Sequence, residues 1–447
     1  MNTNSVFKGV FMFIDSIIFQ QAEKYKADFD SLKKKHTQLD RVNKCAEITK
    51  QILLEAPIYT IDNELHVFNG KIYEPISEKE LSVAIYNTLC EFGVGALDAK
   101  RTPDLTIPIL SRKRKDINPN IIAFNNVIFD VENNTAIDFD ESLVTTYSVG
   151  YDYSEGSENL LWQNFLNEVL PNINDQRILQ EFIGLCYIDR RNISIEKALL
   201  VYGKGANGKS VVFDVITALL GNQYVCELSP AQLNDDKQII ALRGKKLNFA
   251  PDVKANSAFT SALKALISGQ CVQGWDLYKG NVPIIAPPLI FAFNEMPDFL
   301  DKSHGFFRRL IPLHFAITIP PEMQDKQLAS KICQNLSGVF NWAIEGRRRL
   351  LKQNGEFTTS DNSQEELSKI KLKMSPVLSY MERNGFHPHP LYPNQPPKEI
   401  ATKTIMDALN LTGKQISSEL TQAGYKNIKR GVSYYQVYLN IDSTNFS

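Results

Sequence analysis

"LLVYGKGANGKSVVFDVITALLG" spans Leu199 to Gly221, and its reading decides the fold. An apolar run, a glycine-rich turn and an amphipathic stretch follow one another, which predicts a strand, a loop and a helix that ends before Gly221. Gly203 to Ser210 fits the pattern GxxxxGK[ST] at every position. Gly203, Gly205 and Gly208 lack a Cβ, so backbone N–H groups around them can turn toward one anion, with Ala206, Asn207 and Val211 completing the surface. Lys209 supplies a compact positive charge for the β and γ phosphates, and the Ser210 hydroxyl is a ligand for Mg²⁺. The helix that follows directs its positive end at the same anion. A nucleoside triphosphate with Mg²⁺ is therefore the expected ligand pair.

A phosphate loop alone does not separate kinase, switch and motor, but the order downstream does. "KKLNFAPDV" (Lys245 to Val253) is an apolar strand ending at Asp252, the candidate for the second Mg²⁺ position. "PLIFAFNEMP" (Pro288 to Pro297) is a buried strand whose end carries Asn294, suited to orienting an attacking water through its amide. "HGFFRRLIPLHF" (His304 to Phe315) then sets Arg308 and Arg309 just before another apolar strand. An arginine that reaches a neighbouring subunit's γ-phosphate contributes a factor of about 10³ to 10⁵ in rate.

From Ala198 onward this alternation of strand and helix predicts an α/β core. The 447 residues suggest about three folded units. With 43% hydrophobic and 22% charged residues, sizeable cores can form. A net charge of −1 gives no global basic field, so contact with nucleic acid must come from local patches. The six cysteines (45, 90, 186, 226, 271 and 333) form no CxxC pair, which points to a reducing cytoplasm and away from a disulfide frame or zinc site. His387 and His389 in "FHPHP" read as a proline-stiffened turn rather than as metal ligands. "VFKGVFMFIDSIIF" (Val6 to Phe19) is the longest apolar run, but Asp15 interrupts it, so it reads as a buried helix and no membrane partner is expected.

Residues 1–117 mix charged helical stretches with alternating runs such as "IYTIDNELHVFNGKIY", a hairpin expected to turn at Asn69-Gly70. The basic runs "SRKRK" and "RRR" read as solvated faces. Residues 118–190 hold a strand block and helices broken at Pro171-Asn172, and 191–355 hold the nucleotide core with closing helices. A polar, then proline-rich stretch at 356–397 reads as a linker. Residues 398–447 give helix, helix and two short β runs, the order of a small winged helix. There Lys414 in the recognition helix, with Lys426, Lys429 and Arg430 near a wing, offers phosphate contacts. In "GWDLYKGNVP" (Gly274 to Pro283), Trp275, Tyr278 and Lys279 sit on a hairpin expected to turn at Lys279-Gly280-Asn281. Basic and aromatic tips of this kind suit single-stranded DNA.

Phosphate loop, acidic strand, asparagine strand and arginine pair within about 110 residues resemble the superfamily 3 (AAA+) helicases of viruses, phages and plasmids. Within these, the chain is most similar to phage and plasmid primase-helicases with the poxvirus-type helicase domain. "NPNIIAFNNVIFDV" resembles their strand block, "WQNFLNEVL" and "LQEFIGLCYI" their helical collar, and "LKALISGQCVQGWDLYKGNVPIIAP" the segment with the pore hairpin. "GFFRRLIPLHF" and "GVFNWAIEGRRRLL" are similar to their arginine-finger strand and closing helix. The layout also resembles replication helicases of staphylococcal mobile genomic islands.

The resemblance implies ATP hydrolysis by Lys209, Ser210, Asp252 and Asn294, with Arg309, or Arg308 beside it, acting in trans. It implies a hexameric ring that draws single-stranded or forked DNA through its centre, with origin duplex a further partner through the winged helix. One departure matters: the family carries two adjacent acids where this chain has Pro251-Asp252, so the base is either Asp252 itself or another group, with Glu295 a candidate. The expected activity is that of a replication helicase of a mobile element. The alternatives are an ATP-regulated origin-binding initiator that does not unwind, and a primase-helicase, although residues 1–110 show neither a paired-aspartate primase motif nor a zinc module.

Overall fold

The computed structural model describes residues 3–32, 37–253, 261–277, 280–295, 304–386, 399–423, 425–430 and 432–436. The chain divides into two compact units at Tyr153/Ser154. The strand block expected at 118–190 is thereby parted from the helices that follow it. In the first unit, helices Thr3–Glu23, Gln38–Glu55, Glu78–Glu91 and Ala96–Thr106 pack beside two three-stranded antiparallel meanders. Ile14 and Ile18 of the apolar N-terminal run are buried. The first hairpin turns at Asp62-Asn63, both with positive φ (48° and 63°), the geometry of a type I′ turn, and the chain turns again at Gly70. The Asn69-Gly70 signal therefore marks the second of two turns.

The second unit opens with helices α1 (Leu160–Val169) and α2 (Ile173–Leu185). The side chain of Asn172 caps α2 by accepting from Asn174 N at 2.9 Å, which is why the helical pattern breaks there. Strand β1 (Ala198–Tyr202) leads into α3 (Lys209–Leu220), followed by β2 (Val225–Cys226), β3 (Leu247–Ala250), β4 (Leu289–Phe293) and β5 (Leu310–His314). These five strands form one parallel sheet in the order 5-1-4-3-2. All residues of β1, β3 and β4 are buried, the near-continuous apolar pattern of parallel strands covered on both faces. Each fully buried Leu, Ile or Phe contributes roughly 1.5–3 kcal/mol.

Helix α4 (Leu336–Lys352) crosses α2 in backbone contact. A Cβ on Gly184 would lie 2.3 Å from Arg347 N, and one on Gly346 2.2 Å from Gln180 O, so only glycine permits this approach. The stretch read as a linker contains helix α5 (Asp361–Met374) and helix Pro376–Arg383, and Ile370 of α5 is buried in the sheet's core. Its start is tied to α2 by two buried acids. Glu181 accepts from Arg349 Nε (2.6 Å), Thr358 N (2.8 Å) and the Thr358 hydroxyl; Asp175 accepts from Ser360 Oγ and Asn362 Nδ2.

Beyond it come strand Glu399–Ala401, helices Thr402–Leu409 and Gly413–Gln422, and an antiparallel ribbon of Lys426–Arg430 with Val432–Gln436. Val377, Met381, Ile405, Ile416 and Leu420 form their core. Asn410 ends one helix in the left-handed conformation, and a Thr412–Gln415 capping box starts the next. Among the described residues no helix is long and apolar enough to cross a membrane, and no cluster of three metal-ligating side chains occurs.

Candidate functional site

The loop Gly203–Gly208 leaves the carboxyl end of β1 and enters α3 through Gly208, whose φ is 82°. Its shape is enforced from both sides. A Cβ at Gly203 would meet Phe315 O at 2.3 Å, and one at Gly208 would meet Phe165 Cζ at 2.8 Å and Val169 Cγ1 at 2.9 Å. The buried Asn207 donates from Nδ2 to Phe315 O at 3.1 Å, and Ala206 O accepts from Ile319 N at 2.7 Å. The outer face is open, since a Cβ on Gly205 would touch nothing within 4 Å. The site is thus a glycine cradle pressed between α1 and the segment after β5, with one side free for an anion.

Lys209 donates to Gly203 O and to Asn207 Oδ1 (3.1 Å), so its ammonium lies within the cradle. Burial pulls its pKa below the usual range, while the Asp252 carboxylate pulls it upward. Ser210 is exposed in the first turn of α3, and Val211 follows it half-buried. These residues fit a nucleoside triphosphate by their chemistry: glycine backbone, a lysine whose ammonium lies within the cradle, and an exposed hydroxyl beside it. They also fit Mg²⁺, which Ser210 and Asp252 would hold and which would neutralise phosphate charge.

Asp252 follows β3 and is exposed, with φ 47°. A non-glycine residue held there carries strain on the order of 1 kcal/mol, a state that concentrates at functional positions. Val253 N donates to Ala292 O at 2.8 Å, fastening this turn to β4. Asn294 and Glu295 follow β4 and are both exposed. Because β4 lies between β1 and β3, Asn294 emerges between the phosphate loop and Asp252. Ligands of open α/β sheets bind at this end, outside the carboxyl ends of the strands.

The arginine pair lies at the other end. Ala198 N donates to Arg309 O at 2.8 Å, so both arginines sit where β1 begins. Five residues of strand separate that point from the loop, about 16 Å at about 3.3 Å per residue. The two side chains differ. Arg309 is 13% exposed and held by Glu196 Oε2 (3.1 Å), Ser268 Oγ (3.0 Å) and Gly305 O. Arg308 is 53% exposed and pairs with Glu196.

The hairpin expected at Gly274–Pro283 is present, with arms Cys271–Asp276 and Gly280–Ile285. Pairing of Trp275 with Asn281 and Asp276 with Gly280 puts Gly280 and Asn281 in the second arm and not in the turn expected there. Trp275 is 47% and Leu277 78% exposed, so neither is core. Tyr278 and Lys279 lie outside the described residues, as do His387 and His389. Lys414 is exposed at the start of helix Gly413–Gln422. Lys429 and Arg430 belong to a strand of the C-terminal ribbon. Sequence reasoning passed over Phe165, Glu196 and Ser268; only tertiary packing brings them to these sites.

Strand, glycine loop, helix and the parallel sheet are compatible with a phosphate-loop type of core. Residues 201–309, which contain all the nucleotide candidates, match a family described as a family of unknown function (DUF5906). "Putative helicase 121R" of Invertebrate iridescent virus 3 is 27% identical over 244 residues, 48% of this chain and 25% of that protein. "Putative helicase L207/L206" of Acanthamoeba polyphaga mimivirus is 24% identical over 289 residues, 61% of this chain and 29% of that protein. The chain thus matches less than a third of either relative's length. A solved structure described as the A form apo structure of the NrS-1 C terminal region shares the fold at TM-score 0.50 and 12% identity, covering 88% of this chain and 98% of that one. The chain is therefore a distant relative of viral proteins that carry helicase names.

Proposed function

We propose that this chain is an ATP-driven DNA helicase that works as a ring, with ATP cleaved at seams between identical subunits. One observation carries the proposal: Lys209, Ser210, Asp252 and Asn294 gather at the carboxyl end of the sheet, while Arg308 and Arg309 stand at its opposite end. An arginine completing the site must then come from a neighbour, and head-to-tail contacts of that kind close into rings. Asn294 would orient the attacking water, and Asp252 would serve metal and water together because Pro251 replaces a second acid. Arg308 is the better finger on exposure, since Arg309 is only 13% exposed and held by three groups of its own chain.

The exposed Trp275 on the hairpin supports stacking against single-stranded bases. The C-terminal order of helix, strand, two helices and ribbon, with Lys414 exposed, supports a winged helix on duplex DNA. That second feature also favours an initiator that binds an origin without unwinding. Strand displacement on a forked substrate decides between them. Displacement by the wild type, abolished in Lys209→Ala, supports the helicase; duplex binding with no displacement by either supports the initiator.

A further inference from the structure

We infer that Arg309 is a positioning residue that joins the arginine finger to the feet of the hairpin, through Glu196 and Ser268. This inference rests on the helicase reading and adds the route by which a neighbour's nucleotide reaches the DNA-contacting element.

The joint is built from two guanidinium groups. Arg309 holds Glu196 Oε2 at 3.1 Å, the same oxygen that Arg308 pairs with, and its Nε donates to Ser268 Oγ at 3.0 Å. Ser268 is 5% exposed and closes the short helix Ser261–Ile267, three residues before the first hairpin arm starts at Cys271. Arg190, 8% exposed, clamps the same region from behind. It donates to Ile267 O just before Ser268, to Ala286 O (3.0 Å) and Pro287 O (3.1 Å) just after the second arm, and to Ile195 O (3.1 Å) beside Glu196. Gly269 makes room for that clamp: its φ is 67°, and a Cβ there would lie 2.8 Å from Arg190 Cζ.

Both feet of the hairpin and the carboxylate that holds the finger are therefore fixed to one rigid joint. When Arg308 leaves Glu196 for the phosphate of a neighbouring subunit, the whole carboxylate charge falls to Arg309, which tightens its hold on Ser268 and so on the hairpin's first foot. Coupling free energies of this kind correspond to changes of about 5- to 150-fold.

The test compares hydrolysis with and without single-stranded DNA in the full chain. Ser268→Ala removes the acceptor with little loss of volume. It is expected to keep hydrolysis without DNA near the wild-type rate, to keep the DNA concentration for half-stimulation, and to lower maximal stimulation at least about fivefold. Ser268→Thr, which retains the hydroxyl, should recover stimulation. Arg309→Lys should lower stimulation too, and the double variant should fall no further than the worse single one, as expected of one shared contact. Full stimulation in Ser268→Ala, or additive losses in the double variant, would overturn the joint. Arg308→Ala gives the separate reading: hydrolysis unaffected there sinks the trans finger itself, and this inference with it. If Ser268→Ala instead lost hydrolysis without DNA as completely as Arg308→Ala, the contact would serve the chemistry and not the coupling, which also overturns it.

Discussion

Replacing Arg308 by alanine should remove hydrolysis while leaving the fold intact, and the two magnitudes can be worked separately. The side chain is 53% exposed, and loss of its ion pair with Glu196 costs about 0–1 kcal/mol. The Arg308 carbonyl keeps its bond from Lys197 Nζ at 2.7 Å, so the turn before β5 is unaffected. A trans arginine is worth a factor of about 10³ to 10⁵, or about 4–7 kcal/mol of barrier. Lys209→Ala disables the cradle of its own subunit but leaves Arg308 to offer. In an equimolar random mixture of the two variants, an interface is competent when an Arg308→Ala cradle meets a Lys209→Ala finger. That arrangement occurs at about one interface in four, so turnover should return to about a quarter of the wild-type rate from two nearly dead proteins. Steady-state ATPase on the separate and mixed proteins is the assay. A mixture as dead as its parts, with both variants folded and assembling, would refute the trans geometry. Arg309→Ala behaves differently, because it strips three contacts from a side chain only 13% exposed. It should cost about 2–4 kcal/mol of stability, visible as a lower melting temperature that Arg308→Ala does not share.

Gly208→Ala should both destabilise the chain and abolish nucleotide binding, since a Cβ would stand 2.8 Å from Phe165 Cζ on a backbone with φ 82°; Gly205→Ala, with open space around it, should leave the melting temperature unchanged. Calorimetric titration with ATP and thermal melts on both variants check this contrast. Glu181→Ala should cost about 3 kcal/mol in denaturant unfolding, because it leaves Arg349 and the Thr358 N–H without their acceptor around a position 0% exposed. ATP affinity should fall as pH rises through the alkaline range: burial holds the Lys209 pKa below its usual value, and the triphosphate binds the protonated form. Binding measured from pH 7 upward checks the sign, and Lys209→Arg, which stays charged, should flatten the slope.

The phosphate loop was legible because its constraints are local. Gly203 and Gly208 take positive φ (153° and 82°) within a few residues of Lys209, and the flanking apolar runs fix strand and helix. The three later strands were legible for the same reason, each being a continuous apolar run bounded by turn residues. Their order was not. Nothing in "PLIFAFNEMP" says that its strand lies between β1 and β3, yet that placement is what sets Asn294 between the loop and Asp252. The turn at Asp62-Asn63 was hidden by the stronger Asn-Gly signal further along the chain, although Asp and Asn also tolerate positive φ.

Charged runs misled most, because a formal charge in sequence says nothing about which way the side chain points. In "SRKRK", Lys113 turns inward to donate to Leu53 O and Ala56 O at a helix end, where burial lowers its pKa to about 8, while Arg112 stays exposed. The same holds for Arg308 and Arg309, where the sequence reading favours Arg309 as the finger while the structure leaves Arg308 the more exposed. Both guanidinium groups reach Glu196 Oε2, but only that of Arg309 also turns inward to Ser268, while Arg308 stays 53% exposed. That difference is made by Ser268, 41 residues before Arg309 along the chain, and so belongs to the packed core and not to the motif. A motif can thus name the pair, but only the fold tells the two apart, leaving Arg308 largely exposed and anchoring Arg309 within its own subunit.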